Sequence, residues 1–182
     1  LGALLLHYIL QTKQANGTLP ENGALLKTIV TSELGTAIAK HFGVETINTL
    51  TGFKYIAEKI AEFEETNSHT YVFGYEESYG YLIETFVRDK DAVQVALKVA
   101  EMASFYESQS KTLLDALEDV YKQFGYYKEA LISKVFEGKS GQEEMAELLD
   151  TVRQNPPTEI TGKKVVLYED YLTATATAIT GD

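Results

Sequence analysis

Apolar residues at positions 1, 4, 5, 6, 9 and 10 recur at helical spacing, which predicts a helix over 1–13. Asn16-Gly17 and the stretch 20–23 then interrupt the pattern as a loop. The apolar run within 25–30 reads as a buried strand, and Ser32 stands where an N-cap would open a helix through Phe42, closed by Gly43. The succession repeats, with a strand over 44–50, a helix over 53–63 and a strand over 71–73. Strands alternating with helices in this way predict a small α/β sheet whose first strands run parallel, joined by right-handed crossovers.

After Gly74 the pattern changes. Residues 81–86 suit a short antiparallel edge strand, and 89–109 suit a long helix with acids in its first turn, which matches the helix dipole. That helix is apolar almost all round (Val93, Val95, Ala96, Leu97, Val99, Ala100, Met102, Ala103), so it is expected to be well buried. A further helix over 110–124 carries Leu113, Leu114, Leu117, Val120, Tyr121 and Phe124 on one face, with Gly125 as its stop. Beyond it, 131–136 reads as a strand. Ser140-Gly141-Gln142-Glu143 has the form of a capping box opening a helix through Met145, Leu148, Leu149 and Val152, which Asn155-Pro156-Pro157 ends. Residues 164–169 read as another strand, and the Thr-Ala alternation at 173–178 is assigned no element. The expected fold class is α/β: a three-layer α/β/α domain with a small mixed, mostly parallel sheet over 1–125, then an incomplete α+β domain over 126–182. Because Leu1 enters a helical pattern without a cap or an initiator methionine, a fragment of a longer polypeptide is expected.

Composition narrows the chemistry. The 182 residues include no cysteine, so there is no disulfide framework, thiolate zinc site or cysteine nucleophile. A net charge of -11 argues against a nucleic-acid surface, which needs clustered lysine and arginine, yet it leaves room for local phosphate binding. No apolar run has the length of a membrane helix, no signal peptide is evident, and the absence of cysteine is compatible with a cytoplasmic location. His7, His41 and His69 form no triad and no ligand pair, so all three read as structural or exposed. Neither a nucleophile motif nor a clustered Asp-x-Asp-x-Asp metal loop is present.

The candidate chemistry gathers where strands end, since ligands of open α/β sheets bind outside the carboxyl ends of the strands. Thr31-Ser32, Thr51-Gly52 and the loop Gly74-Tyr75-Glu76-Glu77-Ser78-Tyr79-Gly80 fall there. In an extended loop Glu76 and Ser78 point one way and Glu77 the other. A carboxylate accepts hydrogen bonds from two vicinal sugar hydroxyls, and a serine donates or accepts beside it. The alternative is that Glu76 pairs with a lysine or caps the next helix. Lys90, near the start of the 89–109 helix, could meet a phosphate, or form only a solvated pair with its flanking aspartates. Thr51-Gly52 could present backbone N–H groups to an anion, or serve as an ordinary cap and turn.

Taken in order, Phe73-Gly74-Tyr75-Glu76-Glu77-Ser78-Tyr79-Gly80, Val87-Arg88-Asp89-Lys90-Asp91 and the upstream Thr51-Gly52-Phe53-Lys54 resemble the third domain of the α-D-phosphohexomutases, most of all those of the bacterial phosphoglucomutase type. The resemblance covers the whole chain, with 1 to about 125 similar to the third domain and 126–182 to the start of the fourth. It implies a four-domain enzyme that interconverts hexose 1- and 6-phosphates through a bisphosphorylated intermediate. A phosphoserine in the first domain and magnesium in the second would carry the chemistry. It also implies that Glu76 and Ser78 grip sugar hydroxyls, that Thr51 and Gly52 line the same cleft, and that Lys90 lies near the reacting phosphate. Glu77 occupies the variable middle position. Phosphomannomutase, phosphopentomutase and sugar-bisphosphate synthase specificities remain alternatives within the family, and a non-catalytic interaction module is the alternative outside it. The family's phosphoserine loop, Asp-rich metal loop and Arg-Pro-Ser-Gly-Thr phosphate loop are absent. The chain alone is therefore expected to be inactive, with Mg2+ bound elsewhere in the parent and the other parent domains as partners beside a hexose phosphate.

Overall fold

The computed structural model describes residues 1–129 and 135–179. Two compact units divide the chain, one over 1–129 and one over 130–182. In the first, helix α1 (Gly2–Ala15) precedes strand β1 (Gly23–Thr28), then α2 (Leu34–His41), β2 (Glu45–Thr49), α3 (Phe53–Thr66), β3 (Thr70–Tyr75), β4 (Tyr81–Leu82), α4 (Ala92–Glu107) and α5 (Leu113–Phe124). The sheet order is β2-β1-β3-β4, with β1 parallel to both neighbours and β4 antiparallel to β3. Central β1 is buried at every residue, which is why it reads in sequence as an unbroken run rather than an alternation.

The pleat sorts β1 between two cores. Leu25 joins a cluster with α1, α2, α4 and α5, while Ala24 and Leu26 join Phe53, Ile56, Ile60 and Phe63 of α3 on the other face. Three layers result, helix against sheet against helix. Opposite β1 the register of β3 slips between Ala24 and Leu25, leaving Val72 as an extra residue. That bulge lets Val72 and its neighbour Phe73 both reach the α1 side of the sheet.

Several boundaries depart from expectation. Ser32 is not the N-cap of α2, whose N-cap is Glu33, although Ser32 Oγ accepts from Leu34 N at 3.2 Å. The edge strand is confined to Tyr81–Leu82, because beyond it the chain is held by Gln94, whose Oε1 accepts from Glu84 N. Helix α4 starts at Ala92, where the Asp91 side chain accepts from Val93 N and so satisfies one of the free amides of the first turn.

The expectation that α4 is buried all round is corrected. Val93 is 79% exposed and Leu97 73%, and only Val95, Met102 and Tyr106 are buried. The helix rests on its neighbours by one stripe, and apolar composition measures how much surface needs cover, not how much this unit supplies. Leu114, expected on the packed face of α5, is likewise 78% exposed: it lies about 100° round the helix from Leu113, which packs inward. A capping box at Thr112 and Asp115 and the stop at Gly125 delimit α5.

Within the first unit His7 packs edge-on against Phe42 and Phe124, with ring centroids 5.8 and 5.9 Å away. Burial, and then the nearby His41, hold its pKa below the usual 6.5. A group whose folded pKa is depressed is lost as a stabiliser when pH falls below its unfolded value. The unfolding midpoint of the chain is therefore expected to drop as pH falls below about 6.5, and His7→Phe to flatten that segment of the profile. Carboxylates held low by partners, such as Asp115, act at more acidic pH, and comparison with His7→Phe separates His7 from the Leu1 amino group, whose pKa burial also lowers.

The second unit contains α6 (Gly138–Gln154), the hairpin of β5 (Glu159–Ile160) and β6 (Lys163–Lys164), and the hairpin of β7 (Leu167–Asp170) and β8 (Thr175–Ala178). The capping box expected at Ser140 is not formed. Helix α6 begins a turn earlier, with Glu137 as N-cap, and Gly141 lies so close to Phe136 that an added Cβ would be 2.7 Å from its carbonyl carbon. The strand expected over 164–169 is two strands in two hairpins, because the chain changes partner within it: Val165 N donates to Thr158 O in the first hairpin, whereas Val166 O accepts from Ile179 N in the second. The Thr-Ala segment, assigned nothing from sequence, supplies β8. Of the strand expected over 131–136, positions 131–134 lie outside the described residues, and Val135 and Phe136 are not in a strand.

Candidate functional site

Parallel β1, β2 and β3 deliver their carboxyl ends to one edge of the sheet, and the candidate residues collect there. The loop 74–80 is not extended. Tyr75 pairs with Tyr81, Glu76 N donates to Gly80 O at 2.8 Å, and Tyr79 adopts φ 66°, so the segment closes as a tight hairpin between β3 and β4. The alternation that would set Glu76 and Ser78 on one side holds only for extended backbone. Glu76 instead follows directly on the last residue of β3 and is 6% exposed, whereas Ser78 lies at the exposed tip.

The Glu76 carboxylate folds over Gly80. A Cβ at Gly80 would be 2.5 Å from Glu76 Oε2 and 3.1 Å from Lys90 Cδ, so only glycine leaves room for both side chains. Lys90 reaches this place because Asp91 N donates to Tyr81 O at 3.0 Å, which fastens the segment before α4 to the hairpin. Its Nζ lies 3.4 Å from Asp89 Oδ1 and 5.7 Å from the centre of the Phe53 ring, the first residue of α3. No hydrogen-bond or ion-pair partner for the Glu76 carboxylate exists among the described residues. Although the residue as a whole is 6% exposed, its carboxylate oxygens are not among the fully buried unpartnered atoms, so a ligand donor can reach them from solvent.

Gly52, rather than Thr51, caps α3. It holds φ 123° and ψ 125°, a conformation that a side chain would strain. Thr51 is exposed, and Lys54 folds over the Tyr55 ring at 4.7 Å. The structure thus places Glu76 and Lys90 against Gly80, with the Phe53 ring of α3 beside the Lys90 ammonium and Ser78 at the hairpin tip.

Sequence reasoning missed a second network on the other side of the hairpin. Lys27, at the end of β1, is fully buried; its Nζ donates to Glu33 Oε1 at 2.7 Å and to Thr31 O at 3.0 Å. Burial pushes the Glu33 carboxyl up, but the hydrogen bond and charge of Lys27 outweigh it and hold the acid below its usual range. Glu77 Oε2 accepts from Thr28 Oγ1 at 2.8 Å and Thr31 Oγ1 at 3.3 Å. The available signal was a lysine closing an otherwise apolar strand, Gly23-Ala24-Leu25-Leu26-Lys27. Under the hairpin the Tyr75 ring stacks on Phe73 at 5.5 Å, and burial keeps its phenol protonated far above the usual value.

A three-layer α/β/α domain with an acid, a lysine and a helix start at the carboxyl edge of its sheet is thereby defined. The family model described as phosphoglucomutase/phosphomannomutase, alpha/beta/alpha domain III, matches residues 1–124, and the chain belongs to that family. It is 41% identical over 173 residues to a phosphoglucomutase of Staphylococcus haemolyticus, covering 95% of this chain and 30% of that protein. It is 42% identical over 175 residues to a phosphoglucomutase of Staphylococcus aureus, covering 96% and 30%. The chain thus spans about 30% of the length of these curated relatives. In fold it is similar to the Paramecium exocytosis-sensitive phosphoprotein pp63/parafusin, a phosphoglucomutase in open form, with a TM-score of 0.58, 20% identity and coverage of 97% of this chain and 30% of that one. It is also similar to a putative phosphomannomutase from Thermus thermophilus, with a TM-score of 0.53, 20% identity and coverage of 68% and 25%.

Proposed function

We propose that this chain is the sugar-binding portion of a phosphoglucomutase that interconverts glucose 1-phosphate and glucose 6-phosphate through a bisphosphorylated intermediate. The observation that carries the reading is the unpartnered, nearly buried Glu76 carboxylate facing Lys90 across Gly80. Glu76 accepts hydrogen bonds from vicinal hydroxyls of the hexose, and Ser78 adds a donor or acceptor at the hairpin tip. Lys90 places a compact positive charge beside the phosphate, where charge moves during phosphoryl transfer. Gly52, with Thr51 at the rim, lets the α3 amides approach the same ligand.

Phosphoryl transfer itself needs groups this chain does not carry in sequence: the phosphoserine and the phosphate-holding loop belong to other domains of the parent polypeptide, its proposed partners. Mg2+ would neutralise the transferring phosphoryl group. We assign the ion to those other domains, following the resemblance to the family. On this reading the 182 residues alone turn over no substrate. No helix among the described residues is long and apolar enough to cross a membrane. We place the parent in cytoplasmic carbohydrate metabolism, with a hexose phosphate and neither nucleic acid nor membrane as its ligand.

The preference for glucose rests on the relatives' name, and phosphomannomutase or phosphopentomutase specificity is the competing assignment. Turnover by the longer polypeptide should be highest with glucose 1-phosphate. Equal or better turnover of mannose or ribose 1-phosphate overturns the glucose assignment while leaving the family intact.

A further inference from the structure

The two adjacent acids of the hairpin have separate surroundings. Glu76 faces Gly80 and Lys90, while Glu77 turns back to the segment that follows β1. There Thr28 and Thr31, both buried, place their hydroxyl oxygens 2.6 Å apart, and Glu77 Oε2 lies 2.8 Å from one and 3.3 Å from the other. Each threonine has a single hydroxyl proton, so two protons serve three contacts. The two shortest contacts form a relay in which Thr31 donates to Thr28 and Thr28 donates to Glu77. Such a relay needs a terminal acceptor, which Glu77 supplies.

Both ends of the relay are anchored. Lys27 Nζ holds the Thr31 carbonyl at 3.0 Å and is itself held by Glu33. On the hairpin side, Glu76 N donates to Gly80 O, and Asp91 N to Tyr81 O. The Glu77 side chain joins these two parts, the end of β1 and the β3–β4 hairpin, by hydrogen bonds. The hairpin is otherwise held by backbone pairing and by packing, with Tyr75 and Tyr81 in the cluster shared with α1 and Leu82 in the cluster shared with α3.

We propose that Glu77 is a positioning residue: through the Thr28–Thr31 hydroxyl pair it fixes the hairpin so that Glu76 and Ser78 meet the sugar in one geometry. The inference rests on the sugar-binding reading of Glu76 and Ser78. It assigns to Glu77 no contact with substrate and no need for charge, only an acceptor oxygen at the right place. Glutamine therefore replaces it, and alanine does not.

The test uses the longer polypeptide carrying this chain, with Glu77→Ala, Glu77→Gln, Thr28→Val and the Glu77→Ala/Thr28→Val pair. Hydrogen exchange of peptides covering 75–82 should quicken about tenfold in Glu77→Ala, and KM for glucose 1-phosphate should rise about tenfold with kcat changed less than about threefold. Glu77→Gln should stay close to wild type in both, Thr28→Val should resemble Glu77→Ala, and the pair should be no worse than either alone. Unchanged exchange in Glu77→Ala overturns the proposal whatever the kinetics, and so does a Glu77→Gln as impaired as the alanine variant. If exchange quickens while KM stays constant, Glu76→Ala separates the causes. Should Glu76→Ala be impaired, the positioning role alone falls; should it be unimpaired, the sugar reading falls and the positioning role with it.

Discussion

Replacing Glu76 by alanine in the longer polypeptide is expected to lower kcat/KM for glucose 1-phosphate by two to three orders of magnitude without unfolding the domain. A charged acceptor contributes about 1.5–3 kcal/mol per hydrogen bond, and two sugar hydroxyls at about 1.5–2 kcal/mol each, the lower part of that range for a solvent-reached site, give about 3–4 kcal/mol. At about 1.4 kcal/mol per factor of ten, that is the predicted loss. Stability behaves differently. Among the described residues the Glu76 carboxylate bonds to nothing, so truncating it removes no internal contact except packing over Gly80. Thermal unfolding should stay unchanged or rise slightly, as expected where a site holds a group the fold itself does not need. A parallel fall in activity and melting temperature would mean that Glu76 is a structural residue, as the non-catalytic alternative requires.

The second large effect concerns Lys27 and Glu33. Both variants of the pair remove one ion pair, yet their costs should differ sharply. Glu33→Ala strands a fully buried ammonium on a single carbonyl, that of Thr31, and is expected to destabilise the chain by about 3 kcal/mol. Lys27→Met removes the buried charge and leaves Glu33, whose side chain is 57% exposed, in water. Its expected cost is below about 1.5 kcal/mol, because methionine fills the stem's volume. Urea denaturation of both variants measures the difference. Equal costs would show that the salt bridge, rather than relief of the buried charge, controls the stability of this edge.

Much of the fold was legible because the controlling forces are local or periodic. The apolar run within 25–30 marked β1, which the structure sets at Gly23–Thr28, and the apolar spacing of Phe53, Ile56, Ile60 and Phe63 marked α3. Longer-range packing was not legible. The apolar residues of α4 reported a need for cover, and nothing in their spacing told which stripe would meet α1 and leave Val93 and Leu97 exposed. Two strands were read as one over 164–169 because the apolar pattern carries no sign of the change of partner between Val165, paired with Thr158, and Val166, paired with Ile179.

The site was legible in part for a similar reason. Glu76, Lys90 and Gly52 came from residue type, position at strand ends and resemblance; the structure places Glu76 and Lys90 together against Gly80, and Lys90 beside the ring of Phe53, the residue after Gly52. Ser78 was placed beside Glu76 by assuming an extended loop; the hairpin puts it at the tip instead. The Lys27–Thr31–Thr28–Glu77 network was not foreseen, since it joins positions nearly fifty residues apart through hydroxyls that carry no sequence signature of their own.

A crystal structure of the longer polypeptide with glucose 1-phosphate bound would show directly whether the hairpin holds the sugar. Hexose hydroxyls are expected within about 3.2 Å of the Glu76 carboxylate and the Ser78 hydroxyl, with the Lys90 ammonium on the phosphate side of the sugar. A hexose held by other parts of the protein, with the 76–80 hairpin out of hydrogen-bonding reach, would contradict the sugar-binding role.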